Sequence, residues 1–397
     1  MSFDIDVAVI GGCGRAGLPL ALAFADRGMS VLAYDIDRQA VEVVAAGRMP
    51  FMEEGAEPVL KRVLAEGRLT VSGEAGDLKR AEHAIVVIGT PVDQHLNPDI
   101  AAVTEAMDGL APHLADGQLL VLRSTVYPGV TRKVEELLAS RGLRLDVSFC
   151  PERIAEGKAL TELFELPQIV AARTEQAVDR SEKLFRNLTA EIVRLEPEEA
   201  ELAKLFTNAW RYIRFAAANQ FFMMANDFGL DFERIRSALA HNYPRAADMP
   251  GAGLAAGPCL FKDTAQLAAF NNHNFHLGQA AMAINEGLPL YLVSRIEQRY
   301  ELAAMTVGIL GMAFKRGSDD PRSSLSYKLK RILRFKAREV LCSDPYVGDD
   351  PDLLPLDEVV GRSDLLVVAT PHDEYRGLEA TVPVVDIWGV TASPVQV

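Results

Sequence analysis

Cysteine is scarce in this chain. Cys13, Cys150, Cys259 and Cys342 are its only four, far apart and without a C-x-x-C spacing. That argues against a zinc site and against a disulfide scaffold. Histidine is also rare, with seven residues and no H-E-x-x-H, so no metal is expected. No apolar run approaches membrane-spanning length. The acidic start, Met1-Ser-Phe-Asp-Ile-Asp6, lacks a signal-peptide pattern. The expectation is a soluble, cytoplasmic protein with no membrane partner. Positive charge is outweighed, 41 Lys and Arg against 55 Asp and Glu, for a net charge of −14. Nucleic acid is therefore not an expected partner, and an anionic ligand must be held locally by helix N-termini and a few cations. The densest basic run, Lys328 to Arg338, reads as the solvated face of an amphipathic helix. What is plentiful is apolar: 49% of 397 residues, enough for large cores in two or three domains.

The chain opens as strand, glycine turn and helix. Val7-Ala-Val-Ile10 leads into Gly11-Gly-Cys-Gly-Arg-Ala-Gly17, and an apolar helix follows to Gly28. Gly12, Gly14 and Gly17 fit G-x-G-x-x-G, and a second strand from Ser30 to Tyr34 ends in Asp35. Such glycines permit a tight turn, close approach of a pyrophosphate and helix packing, while the acid accepts the ribose hydroxyls. Asp35 would repel a 2′-phosphate, so the cofactor expected is NAD. Helices are expected over Arg38–Ala46 and Glu57–Glu66. Two apolar strands, Ala84 to Pro91 and Leu119 to Thr125, bring Thr90, Ser124 and Thr125 to carboxyl ends, where ligands sit in open α/β sheets. Each is equally a turn hydroxyl satisfying its own backbone. Another strand from Asp146 ends at Cys-Pro, with Glu152 and Glu156 on the loop beyond, as surface solvation or as site acids.

Glu198 to Phe228 is a long helical run in which Glu201, Lys204 and Asn208 share one stripe. Taken alone, Glu201 and Lys204 read as an ordinary surface salt bridge. Further on lies Pro250-Gly-Ala-Gly-Leu-Ala-Ala-Gly-Pro-Cys-Leu-Phe-Lys-Asp263, a glycine-dense loop running into a helix. A thiol at that helix start, beside Lys262, is placed for a lowered pKa and for attack on a carbonyl. Its plain alternative is a buried structural cysteine.

The tail repeats the head. Val307 to Phe314 parallels Val7 to Gly14, Val340-Leu-Cys-Ser-Asp344 parallels Val31-Leu-Ala-Tyr-Asp35, and Leu365 to Pro371 parallels Ile85 to Pro91. The fold class is therefore α/β: two Rossmann-like, doubly wound parallel-sheet domains joined by a long central helix. The expected division is an NAD-binding domain over 1–195, a helical connector with the cysteine loop over 196–300, and a nucleotide-sugar-binding domain over 301–397.

The order Gly12-x-Gly14-x-x-Gly17, Gly89-Thr-Pro91, Ser124-Thr-Val-x-Pro-Gly129, Pro151-Glu-Arg-x-x-Glu-Gly157, Glu201-x-x-Lys204-x-x-x-Asn208, Cys259-x-x-Lys-Asp263 and Phe314-Lys-x-x-x-Asp-Asp-x-Arg322 resembles the UDP-glucose/GDP-mannose dehydrogenase family over nearly the whole chain. The resemblance implies four-electron oxidation of a sugar C6 alcohol to a carboxylate with two NAD⁺. It implies Cys259 as nucleophile through a thiohemiacetal and thioester, Lys204 and Asn208 at the C6 oxygen, and Asp263 and Thr125 at the hydrolytic water. Glu152 is implied as acid/base partner. Gly12, Gly14, Arg15, Ala16, Asp35, Thr90, Pro91, Ser124, Thr125, Lys262 and Arg322 are implied at the cofactor. Glu152, Arg153, Glu156, Lys204, Asn208, Arg245, Gly253 and Lys315 are implied at a UDP-sugar, such as UDP-glucose or a UDP-N-acetylhexosamine, with Arg245 reaching a neighbouring subunit. A homodimer or larger homo-oligomer is implied, with the long helix at the seam; the apolar Phe215 to Met224 stretch fits that seam and core burial equally. Arg15 and Ala16 depart from the usual residues inside the glycine motif. Two other readings stay open: a catalytically silent nucleotide-sugar or NAD-binding regulator, and a two-electron hydroxy-acid dehydrogenase, which would need neither Cys259 nor a second Rossmann half.

Overall fold

A computed structural model describes residues 3–90, 100–272 and 274–391, and the chain divides into two compact units, Met1–Phe206 and Thr207–Val397. The first unit runs β1 (Ile5–Ile10), α1 (Gly17–Asp26), β2 (Val31–Tyr34), α2 (Arg38–Ala45), α3 (Ala56–Ala65), β3 (Leu69–Ser72), β4 (Ala81–Val86), α4 (Ile100–Leu110), β5 (Leu119–Leu122), α5 (Val130–Ser140), β6 (Asp146–Phe149), α6 (Ala159–Glu165), β7 (Gln168–Ala172), α7 (Glu175–Phe185) and β8 (Ile192–Leu195). The long helix α8 (Pro197–Asp227) starts here and carries the chain into the second unit.

Eight strands form one sheet in the order β3-β2-β1-β4-β5-β6-β7-β8. All neighbours are parallel except β6 and β7. Strand order reverses between β1 and β4, so a crevice opens at their carboxyl ends. The strands read as continuous apolar runs because helices cover both faces. Val7, Val9, Ala33 and Ile85 face one buried cluster, while Ala8, Ile10, Leu32 and Val86 face another. The ladder of β4 ends at Val86, short of the expected Pro91. Beyond it, Val87 N donates to Ile10 O and Ile88 N to the Ser124 hydroxyl.

The second unit continues with α9 (Phe232–Ala240), α10 (Leu260–Phe270), α11 (His276–Arg299), β9 (Thr306–Leu310), α12 (Leu325–Arg334), β10 (Glu339–Ser343), α13 (Leu356–Arg362), β11 (Leu365–Val368) and β12 (Val384–Asp386). Its four strands are all parallel, in the order β10-β9-β11-β12. The internal repeat holds at atomic level: Gly11 N donates to Tyr34 O at 2.9 Å, and Gly311 N donates to Ser343 O at 2.8 Å. Helix α12 buries Leu325, Leu329 and Leu333 at a four-residue spacing. The basic run does not stay helical to Arg338: the N–H groups of Phe335 and Lys336 close tighter turns onto Ile332 and Leu333, and β10 begins at Glu339.

Candidate active site

In the first unit the glycine turn leaves no room for side chains where it packs. A Cβ on Gly12 would lie 2.6 Å from Val9 O, and one on Gly17 would lie 2.0 Å from Gly11 O. Gly14 differs: it is exposed, and its Cβ would meet nothing nearer than Gly11 O at 3.4 Å. A Cβ there would fill the space above the start of α1, where a pyrophosphate needs bare backbone. Asp35 is anchored beside it: Cys13 N donates to Oδ2 at 3.0 Å and Asp37 N to Oδ1 at 3.1 Å. Ala16 caps α1 without a side-chain bond, and Arg15 lies over the Phe51 ring at 5.2 Å. This cradle fits a dinucleotide with free ribose hydroxyls. Pro91 lies outside the described residues; Thr90 and Thr125 are half-buried. Ser124 is buried, accepting from Ile88 N at 2.8 Å and donating to Val86 O at 3.4 Å, so its hydroxyl locks β4 to the end of β5.

Glu152 emerges as a fixed carboxylate. Arg123, only 2% exposed, donates Nε to Glu152 Oε2 at 2.6 Å. Arg153 N and Ile154 N donate to Oε1 at 2.7 and 2.9 Å. The carboxylate expected as acid/base partner is thus paired with Arg123 and bonded by two backbone N–H groups. Arg123 also donates to Cys150 O and Gln168 Oε1 and lies over Phe185. Arg153 reaches Pro167 O, and Glu156 is half-buried. The loop after Glu156 is held by Glu53, whose carboxylate accepts from Gly157 N at 2.8 Å.

Glu201 overturns the surface salt-bridge reading. It is fully buried and accepts from Gly129 N at 2.6 Å, Thr131 N at 2.8 Å and Thr131 Oγ1 at 2.6 Å. These donors are the first turn of α5 and the residue before it, so the carboxylate of α8 caps a neighbouring helix. Burial pushes the Glu201 carboxyl above its ordinary range, against the pull of those bonds. Lys204, one turn on, is 8% exposed.

In the second unit the residues around the cysteine loop converge. Cys259 is exposed at the N-cap of α10, and Asp263 N donates back to its carbonyl at 2.9 Å. The other three thiols are buried, which pushes Cys13 up to about 12 and Cys150 and Cys342 up to about 11. The accessible nucleophile is therefore Cys259. Asp263 is fully buried; Asn208 Nδ2 donates to its Oδ2 at 2.5 Å, and Lys262 Nζ lies 3.4 Å from Oδ1. Lys262, Asp263 and Asn208 thus form one cluster, one helical turn after Cys259.

The loop ahead of Cys259 is braced at two glycines. Gly257 has φ +110°, and a Cβ there would sit 2.6 Å from the Phe314 ring. Gly253 would meet Trp388 at 2.0 Å, while its N–H and C=O are both bonded to Asn219. Both main-chain hydrogen-bonding groups of Gly253, a residue implied at the sugar, are thus bonded to Asn219. Lys315 lies over Phe314, Arg322 clasps buried Asp320 through Nε at 2.9 and 3.0 Å, and Arg245 packs on Tyr243 in the loop after α9. The β10 carboxylate matching Asp35 is Asp344. It accepts from Met312 N, Ala313 N, Tyr346 N, Val347 N and His372 Nε2, so internal bonds occupy it.

Sequence reasoning missed Arg123, Glu53, Asn219 and Asn285. An Arg between buried strand positions, and an Asn eleven residues after Asn208 on the same helix face, were the available signals.

Residues 5–189, 198–287 and 308–393 match the NAD binding, central and UDP binding domains of the UDP-glucose/GDP-mannose dehydrogenase family. The UDP-N-acetyl-D-mannosamine dehydrogenase of Pyrococcus horikoshii is 33% identical over 385 residues, 94% of this chain and 90% of that one. The UDP-N-acetyl-D-mannosamine dehydrogenase of Salmonella typhimurium is 29% identical, covering 95% and 96%. Among solved structures, a UDP-glucose dehydrogenase from Pyrobaculum islandicum superposes with a TM-score of 0.90 at 28% identity, covering 98% and 95%.

Proposed function

Since the chain belongs to the UDP-glucose/GDP-mannose dehydrogenase family and takes NAD as its cofactor, we propose that it oxidises the C6 alcohol of UDP-N-acetyl-D-mannosamine to the carboxylate, with two NAD⁺ reduced and one water consumed per sugar. The observation that carries the chemistry is the exposed Cys259 at the start of α10, with buried Asp263 one turn on and held by Asn208. The choice of sugar rests on the similar mannosamine enzymes.

When bound, NAD⁺ accepts one hydride at each of the two oxidations. Lys204 and Asn208 hold the C6 oxygen as charge develops on it, a contribution that a fixed cation makes without reorganisation. The Cys259 sulfur attacks C6 of the aldehyde, giving a thiohemiacetal. Loss of hydride and proton from that adduct leaves a thioester. Water, positioned by Asp263 and Thr125, adds to the thioester carbonyl, and the thiol leaves. The covalent step divides one difficult oxidation into two easier ones. Gly12, Gly14, Arg15, Ala16, Asp35, Thr90, Pro91, Ser124 and Lys262 are assigned to the cofactor. Glu152, Arg153, Glu156, Gly253 and Lys315 are assigned to the substrate, Glu152 also as acid/base partner, and Arg322 to the cofactor.

The three-part division at about residues 195 and 300 belongs to this reading, as does a homodimer or larger assembly. In its favour, Trp210, Phe221 and Met224 stand exposed on α8, with Phe228 exposed just beyond it, and Arg245 is assigned to a neighbouring copy's sugar. Sedimentation tests the assembly, and a strictly monomeric protein overturns it.

The functional test is NADH released with UDP-N-acetyl-D-mannosamine, UDP-N-acetyl-D-glucosamine, UDP-glucose and GDP-mannose. Two NADH per mannosamine sugar is expected. Preference for UDP-glucose reassigns the sugar, in line with the Pyrobaculum structure. One NADH per sugar, or full acid production by Cys259→Ser, overturns the thioester route.

A further inference from the structure

The nucleophile's loop is held by a buried relay of two side-chain amides. Asn219, on α8, grips both main-chain groups of one residue: its Oδ1 accepts from Gly253 N at 2.8 Å and its Nδ2 donates to Gly253 O at 3.0 Å. The second Nδ2 proton goes to Asn285 Oδ1, on α11, at 2.9 Å. Asn285 in turn donates Nδ2 to Tyr212 O on α8 at 3.1 Å. Both asparagines are fully buried.

Chemistry sets the order of this chain. A helical carbonyl can only accept, so Tyr212 O requires the NH₂ end of Asn285 to face it. Asn285 then presents its oxygen to Asn219, which must answer with its own NH₂. That orientation leaves Asn219 Oδ1 for Gly253 N–H. Each amide is thereby fixed against a flip, and the loop is fixed at one residue. On its other side, Gly253 abuts the Trp388 ring so closely that no side chain fits.

Resting on the proposed function above, we infer that Asn219 and Asn285 are positioning residues for Cys259. They hold the 250–258 loop at Gly253, six residues ahead of the nucleophile, and so set where the thiol stands for attack on C6. Asn219 can do this because an amide is both donor and acceptor; aspartate retains only the acceptor and serine cannot span both groups. Burial raises the stakes, since each broken bond strands a polar group in the interior.

The test compares Asn219→Ala, Asn219→Asp and Asn285→Ala with the unaltered protein by two readouts. The first is the iodoacetamide alkylation rate of Cys259, the one exposed cysteine, measured without sugar. The second is kcat against KM for NADH production. NAD⁺ affinity serves as the folding control. We expect NAD⁺ affinity within twofold of the unaltered protein, an alkylation rate changed severalfold, and kcat lowered tenfold or more with KM for NAD⁺ unmoved. Asn285→Ala should show the same pattern, more weakly. If Asn219→Ala does not fold, Asn285→Ala decides, because Asn285 acts on the loop through Asn219. A folded Asn285→Ala or Asn219→Ala with unchanged alkylation and kcat overturns the assignment. The alkylation arm needs no sugar, so a wrong substrate reading and a wrong relay give different results.

Discussion

Asn208 and Asp263, on α8 and α10, share a 2.5 Å hydrogen bond that fixes a buried carboxylate one helical turn beyond the exposed Cys259 thiol. Replacing Asp263 by Asn removes the charge while keeping the volume, and takes the negative charge from the 3.4 Å contact with Lys262 Nζ. If Asp263 prepares the water, kcat falls about 10²–10⁴-fold. Pre-steady-state absorbance should then show a burst of two NADH per site followed by a stall, as the thioester accumulates. A linear, burst-free trace would place Asp263 ahead of the second oxidation.

Gly257→Ala should be costly although the added group is one methyl. The residue sits at φ +110°, and its Cβ would approach Phe314 to 2.6 Å. Strain of this type costs on the order of 1–3 kcal/mol. Thermal melting should show the loss in the second unit, and kcat should fall because the loop carries Cys259. An unchanged melting point would mean that the loop adopts another path.

Acid sensitivity should centre on Asp344. Burial pushes its carboxyl up, but the His372 bond and the backbone amides outweigh that and hold it at about 2. Its folded value is thus below the unfolded one near 3.9. The stabilisation is present above about pH 4 and is lost as pH falls toward 2. The difference corresponds to roughly 2.5 kcal/mol. Chemical denaturation between pH 6 and 2 should show this loss, and Asp344→Asn should flatten the curve. His372 accepts Gly317 N–H at Nδ1, at 3.1 Å, so Nε2 carries the proton donated to Asp344.

Glu201 carries the opposite sign. Its folded value is raised by burial, so its contribution is complete below the unfolded value near 4.3 and declines as pH rises through the folded value. Glu201→Gln removes that pH dependence. It also places an NH₂ where one oxygen accepted, facing either Gly129 N or Thr131 N, at an expected cost of about 1–3 kcal/mol. Urea titration at several pH values checks both.

Much of this protein was legible in order along the chain. Alternation of short apolar strands, glycine turns and helices specified two doubly wound sheets, because a parallel strand buried on both faces leaves an unbroken apolar run. The repeat of Val31 to Asp35 in Val340 to Asp344 is equally a matter of local pattern, and so is a cysteine at a helix start. What the sequence could not show is which partner a polar side chain takes, since such partners lie far away in the chain. Glu201 reads as a mate for Lys204 but caps α5, seventy residues upstream. Glu152 reads as either surface solvation or a site acid, and only the fold shows that Arg123 and two amides bond it. Asp344 repeats Asp35 in sequence, but His372, from beyond β11, helps to fill its bonds and turns a ligand position into an internal brace. Asn219 and Asn285 look like isolated amides in apolar helices until burial brings them together with Gly253. Burial forces every polar group to find a partner, and only the folded chain decides which partner is within 3 Å.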